Sequence, residues 1–174
     1  MPAAAAPSTA QKGAIYTDST LTALRWYDGT QWSRVTNFSK FAAYPGSDCY
    51  IAAAAWTKVG FNDADTNDQG IFTASDSRFT APEAGVYEVG ATLAYKQNNS
   101  SAPTALQLAF YKNGAACGRG RAGCANPVPG VSTVGGSVVL RLAAGDYVEA
   151  WAFFAGADGY VAAADSCFWA AQLP

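Results

Sequence analysis

Few side chains in this sequence are suited to acid–base or nucleophilic chemistry. The chain has 174 residues and no histidine, so it lacks the base of Ser/His and Cys/His nucleophile pairs and the commonest ligand of transition metals. Its three glutamates, Glu83, Glu88 and Glu149, show no sign of the facing carboxylate pair that a glycosidase needs. Most aspartates stand in turn-like segments, where they support the backbone. We therefore expect no enzymatic activity and no cofactor.

One acidic segment is similar at its start to a calcium-binding loop. Asp63, Asp65 and Asn67 alternate as the first ligands of such a loop do. Asp68 then stands where the loop needs glycine, and no glutamate closes it. A solvated turn is favoured, calcium binding by these three residues stays open as a hypothesis, and no other metal site is expected.

A second segment combines arginine with glycine. Cys117 and Cys124 bracket Arg119 and Arg121, which stand among glycines that let the backbone approach a partner closely. Arginine forks suit the carboxylate and phosphate groups of surface polysaccharides, and Tyr160 lies in a loop-like region where it could stack on a sugar ring. These two arginines and Tyr160 are candidate ligand-binding residues. A mobile solvated loop is the alternative.

Charge and hydropathy narrow the classes of partner. The net charge of −2 and the pI near 4.9 argue against a nucleic-acid-binding protein, which normally carries a basic stripe. No apolar run approaches the roughly 18 residues that a membrane span needs, and the N-terminus lacks the basic and apolar regions of a signal peptide. We expect synthesis in the host cytoplasm and no membrane insertion. Only 14% of the residues are charged, which indicates either surface covered by a partner or an alanine-rich composition.

The strand patterns indicate an all-β protein. Alternation of apolar and polar residues from Gly85 to Tyr95 is typical of a half-buried strand. Asp28-Gly29 between two aromatic runs predicts a tight hairpin. Short strands separated by turns, without helical periodicity, favour a two-sheet sandwich. We predict an extended arm over 1–13, a hairpin segment over 14–40 and the sandwich domain over 41–174.

Six residues at fixed intervals, four of them aromatic, resemble a family signature. Their separations of 6, 5, 7, 6 and 2 residues run through Phe61, Asn67, Phe72, Phe79, Gly85 and Tyr87. This pattern resembles the signature of the complement C1q globular-head family, whose superfamily includes tumour necrosis factor. The resemblance implies a ten-strand jelly roll in which the strands near Cys49 and Cys167 are neighbours. A Cys49–Cys167 disulfide is then possible, as is closure of the arginine loop by Cys117–Cys124; four buried free thiols are the alternative.

The same resemblance implies a homotrimer, because members of this superfamily typically bury one sheet edge and its aromatic residues around a three-fold axis. It assigns five residues either to the core or to trimer contacts, without dividing them: Tyr87, Tyr95, Val148, Trp151 and Phe168.

The N-terminal aromatic segment resembles an adaptor hairpin of bacteriophage tail and head appendage proteins. The residues that carry this resemblance, and that we expect to anchor the chain to a virion, are Ile15, Tyr16, Trp26, Tyr27 and Trp32. The expected anchoring partner is a major capsid protein or another virion structural protein.

Together these features predict a non-enzymatic, trimeric bacteriophage protein on the virion surface. It would serve as a capsid decoration, a head fibre or a fibre-tip knob, anchored by its N-terminus and presenting the jelly roll to host-surface glycan. Two alternatives remain open: a cement protein that only stabilises the capsid, and a bacterial surface recognition module.

Overall fold

The computed structural model describes residues 6–67, 69–99 and 101–174. Within these ranges the protein has seventeen strands, one 3-10 turn at Ala74–Asp76 and no α-helix, which confirms the all-β prediction. None of the described residues belongs to a helix that is long and apolar enough to span a bilayer. The strands are β1 (Ile15–Asp18), β2 (Ala23–Tyr27), β3 (Trp32–Arg34), β4 (Lys40–Tyr44), β5 (Cys49–Ile51), β6 (Thr57–Lys58), β7 (Asp63–Thr66), β8 (Phe72–Thr73), β9 (Arg78–Thr80), β10 (Gly85–Gln97), β11 (Ala105–Lys112), β12 (Ala115–Ala116), β13 (Ala122–Ala125), β14 (Thr133–Leu142), β15 (Tyr147–Ala155), β16 (Gly159–Val161) and β17 (Cys167–Gln172).

The first three strands form a small antiparallel sheet of their own, here called the N-terminal sheet. The predicted hairpin joins β2 to β3, and β1 pairs with the other edge of β2. Asp28 Oδ1 accepts hydrogen bonds from the backbone N–H groups of Thr30 (2.7 Å) and Gln31 (2.8 Å). Gly29 supplies the positive φ of +105° that the turn needs. The expected arm over 1–13 lies partly outside the described residues.

Two larger antiparallel sheets pack face to face and form the jelly roll. In the first sheet the order is β14, β10, β17, β4, β7, and β16 and β5 extend it beside the far end of β10. In the second sheet β11 and β15 are central, with β12 and β13 along β11 and with β6, β9 and β8 beyond β15. The C-terminal strand β17 thus lies in the interior of the first sheet.

The aromatic residues of the signature meet in the core between these sheets. Phe41 stacks on Phe72 with ring centroids 4.9 Å apart and meets the edge of Phe168 at 5.0 Å. Phe61 lies 5.4 Å from Phe168, and Phe79 lies 5.4 Å from Tyr87. All of these side chains are buried. The spacing of the signature therefore reflects which positions must reach one shared aromatic cluster.

Two signature residues, Asn67 and Tyr87, also make hydrogen bonds that hold the backbone around that cluster. Asn67 Nδ2 donates to the carbonyl of Phe72 (2.8 Å), and Asn67 Oδ1 accepts from the N–H of the same residue (3.0 Å). The hydroxyl of Tyr87 donates to the carbonyl of Glu83 (2.9 Å). A Cβ on Gly85 would lie 3.1 Å from Gln172 Nε2 and 3.3 Å from the Tyr87 ring, so this position leaves little room for a side chain.

The structure divides the five expected core or trimer residues. Tyr87, Tyr95, Val148 and Phe168 are buried in the core of the single subunit. Trp151 is half-buried and lies on the outward face of the second sheet, because β15 alternates its side chains between core and solvent.

All four cysteines are free, half-buried thiols, so neither of the two possible disulfides is formed. Cys124 pairs with Leu106 on β11, whereas the N–H of Cys117 bonds to the carbonyl of Phe110 on the same strand. Four residues of strand separate those two positions by roughly 13 Å, beyond the reach of a disulfide. Cys167 pairs with Thr92 on β10. Cys49 pairs with Val161 on β16, and Val161 in turn pairs with Tyr95 on β10. Cys49 is therefore separated from β10 by a strand and lies level with a position three residues beyond Thr92.

A buried ion cluster joins the N-terminal sheet to the jelly roll. Glu83 binds Arg25 Nη2 and lies 2.9 Å from Arg34 Nε, and Arg25 Nε donates to Asp18 (2.9 Å). Arg34 Nη1 also donates to Ser39 Oγ (2.8 Å) and to Gln172 Oε1 (3.0 Å). Burial acts to lower the pKa of Arg25, but its hydrogen bonds to Glu83 and Asp18 outweigh this and raise it. Two cations and two carboxylates thus neutralise each other where the two parts meet.

Tyr87 makes the stability depend on pH. Burial raises its pKa to about 12, whereas a tyrosine in the unfolded chain ionises near pH 10. The unfolded state therefore loses this proton first, and the free energy of unfolding falls between about pH 10 and 12, by up to about 1.4 kcal/mol per pH unit. We expect Tyr87→Phe to flatten this fall in urea unfolding curves measured from pH 8 to 12. Tyr27→Phe is the control, and parallel curves for both variants would contradict the assignment.

Glu83 is expected to determine how firmly the N-terminal sheet is attached. Glu83→Gln leaves two largely buried guanidinium groups without their shared counter-charge, so we expect it to lower the free energy of unfolding by about 3 kcal/mol. Asp76→Asn, at an exposed turn, is the matched control and should change stability little. Chemical denaturation measures both, and equal stabilities would show that the cluster contributes nothing.

Candidate functional site

The two sheets of the jelly roll present outward faces of different character. On the first sheet, the outward positions near the centre carry mainly small or apolar side chains, except for Glu88, which lies between Val139 and Ala171. Trp169 lies flat across Gly90, where an added Cβ would come 2.3 Å from the indole ring. Val139, on the neighbouring edge strand β14, is 54% exposed. This surface, defined by Gly90, Val139, Trp169 and their small neighbours Ala42 and Ala171, is here called the flat face.

The second sheet instead carries half-buried aromatic rings on its outward face. Tyr111 and Trp151 stack with centroids 4.5 Å apart. Trp56 lies 5.4 Å from Phe153 and 6.4 Å from Tyr111. These four side chains form a continuous surface, here called the aromatic platform.

A buried carboxylate supports the platform. Glu149 is almost fully buried although it points outward from β15. Its Oε1 lies 3.3 Å from Lys58 Nζ and 3.2 Å from Arg78 Nη2, and its Oε2 accepts from Trp151 Nε1 (3.3 Å). The guanidinium of Arg78 in turn lies 4.0 Å over the Tyr147 ring. Glu149 therefore holds the Trp151 side chain in place.

The arginine loop borders one end of the platform. A slot of about 180 Å³ lies there, lined by Trp56, Ala109, Phe110, Tyr111, Ala116, Gly118, Arg119 and Arg121. At Gly120, which has φ of +72°, a Cβ would come 2.7 Å from Val138. The loop therefore needs glycine there to pack against β14, and this contact positions the two arginines beside the slot.

The two arginines differ in how they are held. Arg121 bonds to Gln107 and its guanidinium lies 5.1 Å from the centre of the Trp56 ring. Arg119 is exposed and makes no ion pair or side-chain hydrogen bond to the residues that the structure describes. One cation is thus preorganised, and the other is available to a partner.

The third candidate, Tyr160, lies elsewhere. It is on β16 of the first sheet, where its ring meets Tyr50 edge-on at 5.7 Å. The Tyr50 hydroxyl donates to Asp158, which also accepts from Asn98 and Asn99. These hydrogen bonds lower the pKa of Asp158. The structure does not bring Tyr160 together with the arginine loop.

The calcium candidates are not assembled into a cluster. Asp63 and Asp65 are exposed on β7, and the side chain of Asn67 is occupied by the backbone of Phe72. No group of three acidic, histidine or cysteine side chains with metal-binding geometry occurs among residues 6–67, 69–99 and 101–174.

The expected anchoring residues separate onto the two faces of the N-terminal sheet. Tyr16 is buried and meets Trp32 edge-on at 4.7 Å, and Tyr27 lies 5.2 Å from Trp32. Ile15 and Trp26 are register partners on the opposite face, 54% and 38% exposed, where Val35 is also exposed. Three of the five residues therefore stabilise the sheet itself, and two are free to contact a partner.

Sequence reasoning missed the platform and the flat face. Trp56, Tyr111 and Phe153 were not among the candidate site residues, and neither was Trp169. The signal was present on β15, where Tyr147, Trp151 and Phe153 occupy the positions that alternate with a complete inward set, Val148, Ala150, Ala152 and Phe154. A strand with aromatic residues on both faces indicates a surface with a further role.

Comparisons with known proteins bear on the fold. No protein-family model matches the chain. An uncharacterized protein of Bacillus subtilis, YqcC, is 28% identical in an alignment of 153 residues that covers 83% of this chain and 41% of that protein. The chain thus spans less than half the length of this curated relative.

Among solved structures, the globular domain of zebrafish complement 1qA matches with a TM-score of 0.58 and 19% identity, over 79% of this chain and 98% of that one. Eiger TNF of S. frugiperda has a TM-score of 0.58 and 13% identity, over 79% and 93% of the two chains. Murine APRIL has a TM-score of 0.58 and 12% identity, over 78% and 99%. Together with the strand order and the aromatic core, these likenesses show that the chain carries a C1q/TNF-like jelly-roll domain.

Proposed function

We propose that this protein is a non-enzymatic, trimeric bacteriophage virion surface protein. It anchors to a capsid or other virion structural protein through its N-terminal sheet and presents the jelly roll to host-surface glycan. The observation that carries the proposal is the contrast between two unpartnered apolar faces, on the N-terminal sheet and on the first sheet, and an aromatic, arginine-bordered face on the second.

Self-association is assigned to the flat face. Small side chains around Gly90 and Trp169 let another subunit approach closely, and the exposed Val139 gains free energy when it is covered. Interface cores are poor in charged residues. Among the strand partners of Val139 and Trp169 on the flat face, one side chain is charged, Glu88, whereas the outward face of the second sheet carries Lys58, Arg78 and Glu149. Jelly rolls of this superfamily typically associate as trimers, so the flat face is proposed to line the contacts around a three-fold axis.

Anchoring is assigned to the exposed side of the N-terminal sheet. Ile15, Trp26 and Val35 form an apolar patch there, which a soluble protein exposes mainly where it contacts a partner. The ion cluster around Glu83 fixes this sheet against the jelly roll. The direction in which the N-terminal sheet is attached therefore sets the direction in which the jelly roll points. Virion location, the phage origin and the partner all belong to the proposal, supported by the adaptor-like hairpin sequence.

In the alternative of a cement protein, the N-terminal sheet still anchors the chain and the jelly roll still forms a trimer, but no glycan is bound. If the knob only clamps capsomers, particles without the protein should be fragile and still adsorb to cells. If it is an adhesin, they should be robust and adsorb poorly. Immunogold labelling of particles released by cells that carry the gene tests the location, and label confined to the bacterial surface would favour the recognition-module alternative.

The flat face predicts how to dissociate the trimer. Val139→Lys places a charge within the proposed interface, at a position that is 54% exposed in the single subunit, so we expect the mass in solution to fall from three times 18.0 kDa to the single chain. Val131→Lys is the matched control, because Val131 is 76% exposed in a loop that precedes β14. Analytical ultracentrifugation distinguishes the outcomes. A wild-type monomer, or a Val139→Lys trimer, would contradict the assignment.

The patch of Ile15, Trp26 and Val35 predicts that incorporation into particles can be lost without loss of the trimer. Trp26→Lys should abolish incorporation into particles but leave the trimer intact, because this side chain lies outside the jelly roll. Gln11→Lys, at an exposed position before β1, controls for added charge on the N-terminal segment. Immunoblots of purified particles measure incorporation, and a normal amount of the Trp26→Lys protein would show that the patch is not the anchor.

A further inference from the structure

We infer that the slot between the aromatic platform and the arginine loop binds a sugar acid whose carboxylate is attached directly to the ring. This inference deepens the proposed glycan attachment and rests on it. It names the chemical class that the slot selects and the residues that select it.

The shape of the slot favours a single ring. Its volume of about 180 Å³ is below the roughly 300–1,000 Å³ of sites for drug-sized molecules. The Trp56 and Tyr111 rings form its aromatic wall, and small residues, Ala109, Ala116 and Gly118, leave space opposite. An aromatic wall suits the apolar C–H face of a pyranose, and further sugar units can lie along Phe153 and Trp151.

Charge decides between neutral and acidic sugars. Arg121 is held by Gln107 and by the Trp56 ring, so its guanidinium already lies beside the stacking surface. Arg119, on the other side of Gly120, is exposed and has no counter-ion among the described residues. The acidic groups near the platform do not compensate these arginines, because Glu149 is engaged by Lys58 and Arg78. The slot therefore combines a stacking surface with excess positive charge.

The distance between wall and charge favours a carboxylate on the ring. A guanidinium that already covers one face of Trp56 can reach only groups close to a ring bound against the same aromatic wall. In uronic and sialic acids the carboxylate is bonded to a ring carbon, whereas a phosphate is held further out by its ester oxygen. Arginine binds carboxylates through paired, charge-assisted hydrogen bonds. We assign the carboxylate to both guanidinium groups: Arg121 reaches it beside the bound ring, and Arg119, which also lines the slot, binds it from the other side of Gly120.

An array of oligosaccharides tests this inference with the 174-residue protein. The probes are oligomers of galacturonic, glucuronic and sialic acid, each beside its methyl-esterified counterpart, together with sugar phosphates. We expect binding to at least one acid, loss of binding on esterification, and weaker binding as salt rises. Equal binding to acid and ester, or preference for the phosphates, would overturn the inference.

Substitutions in the slot test whether the acidic sugar binds there rather than elsewhere on the surface. Arg119→Gln, an exposed change, should weaken binding to the acid at least about tenfold, and Trp56→Ala should do the same while removing the tryptophan fluorescence change on binding. Lys12→Gln, an exposed lysine of the N-terminal segment, is the charge-matched control. Unchanged affinity in both slot variants would assign the binding elsewhere.

Binding to host cells distinguishes failure of the inference from failure of the proposed function. A trimer that adsorbs to cells but binds no acidic probe retains the attachment function and refutes the acidic-sugar slot. A trimer that binds neither cells nor probes refutes both. Adsorption that is lost in Arg119→Gln and retained in Lys12→Gln would support both together.

Discussion

The contact of Phe168 with aromatic residues from distant parts of the chain is the constraint on which the jelly roll depends. Its ring meets Phe41 at 5.0 Å, Phe61 at 5.4 Å and Phe72 at 6.2 Å. It belongs to β17, which lies between β10 and β4 in the first sheet. The sandwich can therefore close only when the last strand is inserted, and truncation of one such ring typically costs about 3–5 kcal/mol.

Because the core uses one side of each long strand, the opposite sides are free to differ. On β15 the inward residues are uniformly apolar, whereas the outward ones combine tyrosine, glutamate, tryptophan and phenylalanine. On β10 the outward positions include Gly90 beneath Trp169. The same alternation thus produces a flat face suited to another subunit and an aromatic face suited to a ligand, on opposite sides of one core.

Orientation of the N-terminal sheet depends on charge rather than on apolar packing. Glu83 precedes β10 in the jelly roll, and its two arginine partners come from β2 and β3. Buried ion pairs add little net stability over apolar contacts, but they specify one geometry because an unpaired buried charge is costly. Such a junction suits an attachment module whose direction has to be fixed.

The sequence by itself determined the all-β class and the hairpin at Asp28-Gly29, because strand alternation and turn chemistry are local signals. The jelly roll followed from the resemblance of the intervals between Phe61 and Tyr87 to a family signature. The sequence also singled out Arg119 and Arg121. Tertiary structure alone decided that Trp56 and Tyr111, 55 residues apart, form one wall with Arg121, that Tyr160 lies elsewhere, and that the cysteines stay apart. Strand register sets these relations, and it is fixed by closing the whole core rather than by any neighbouring residues.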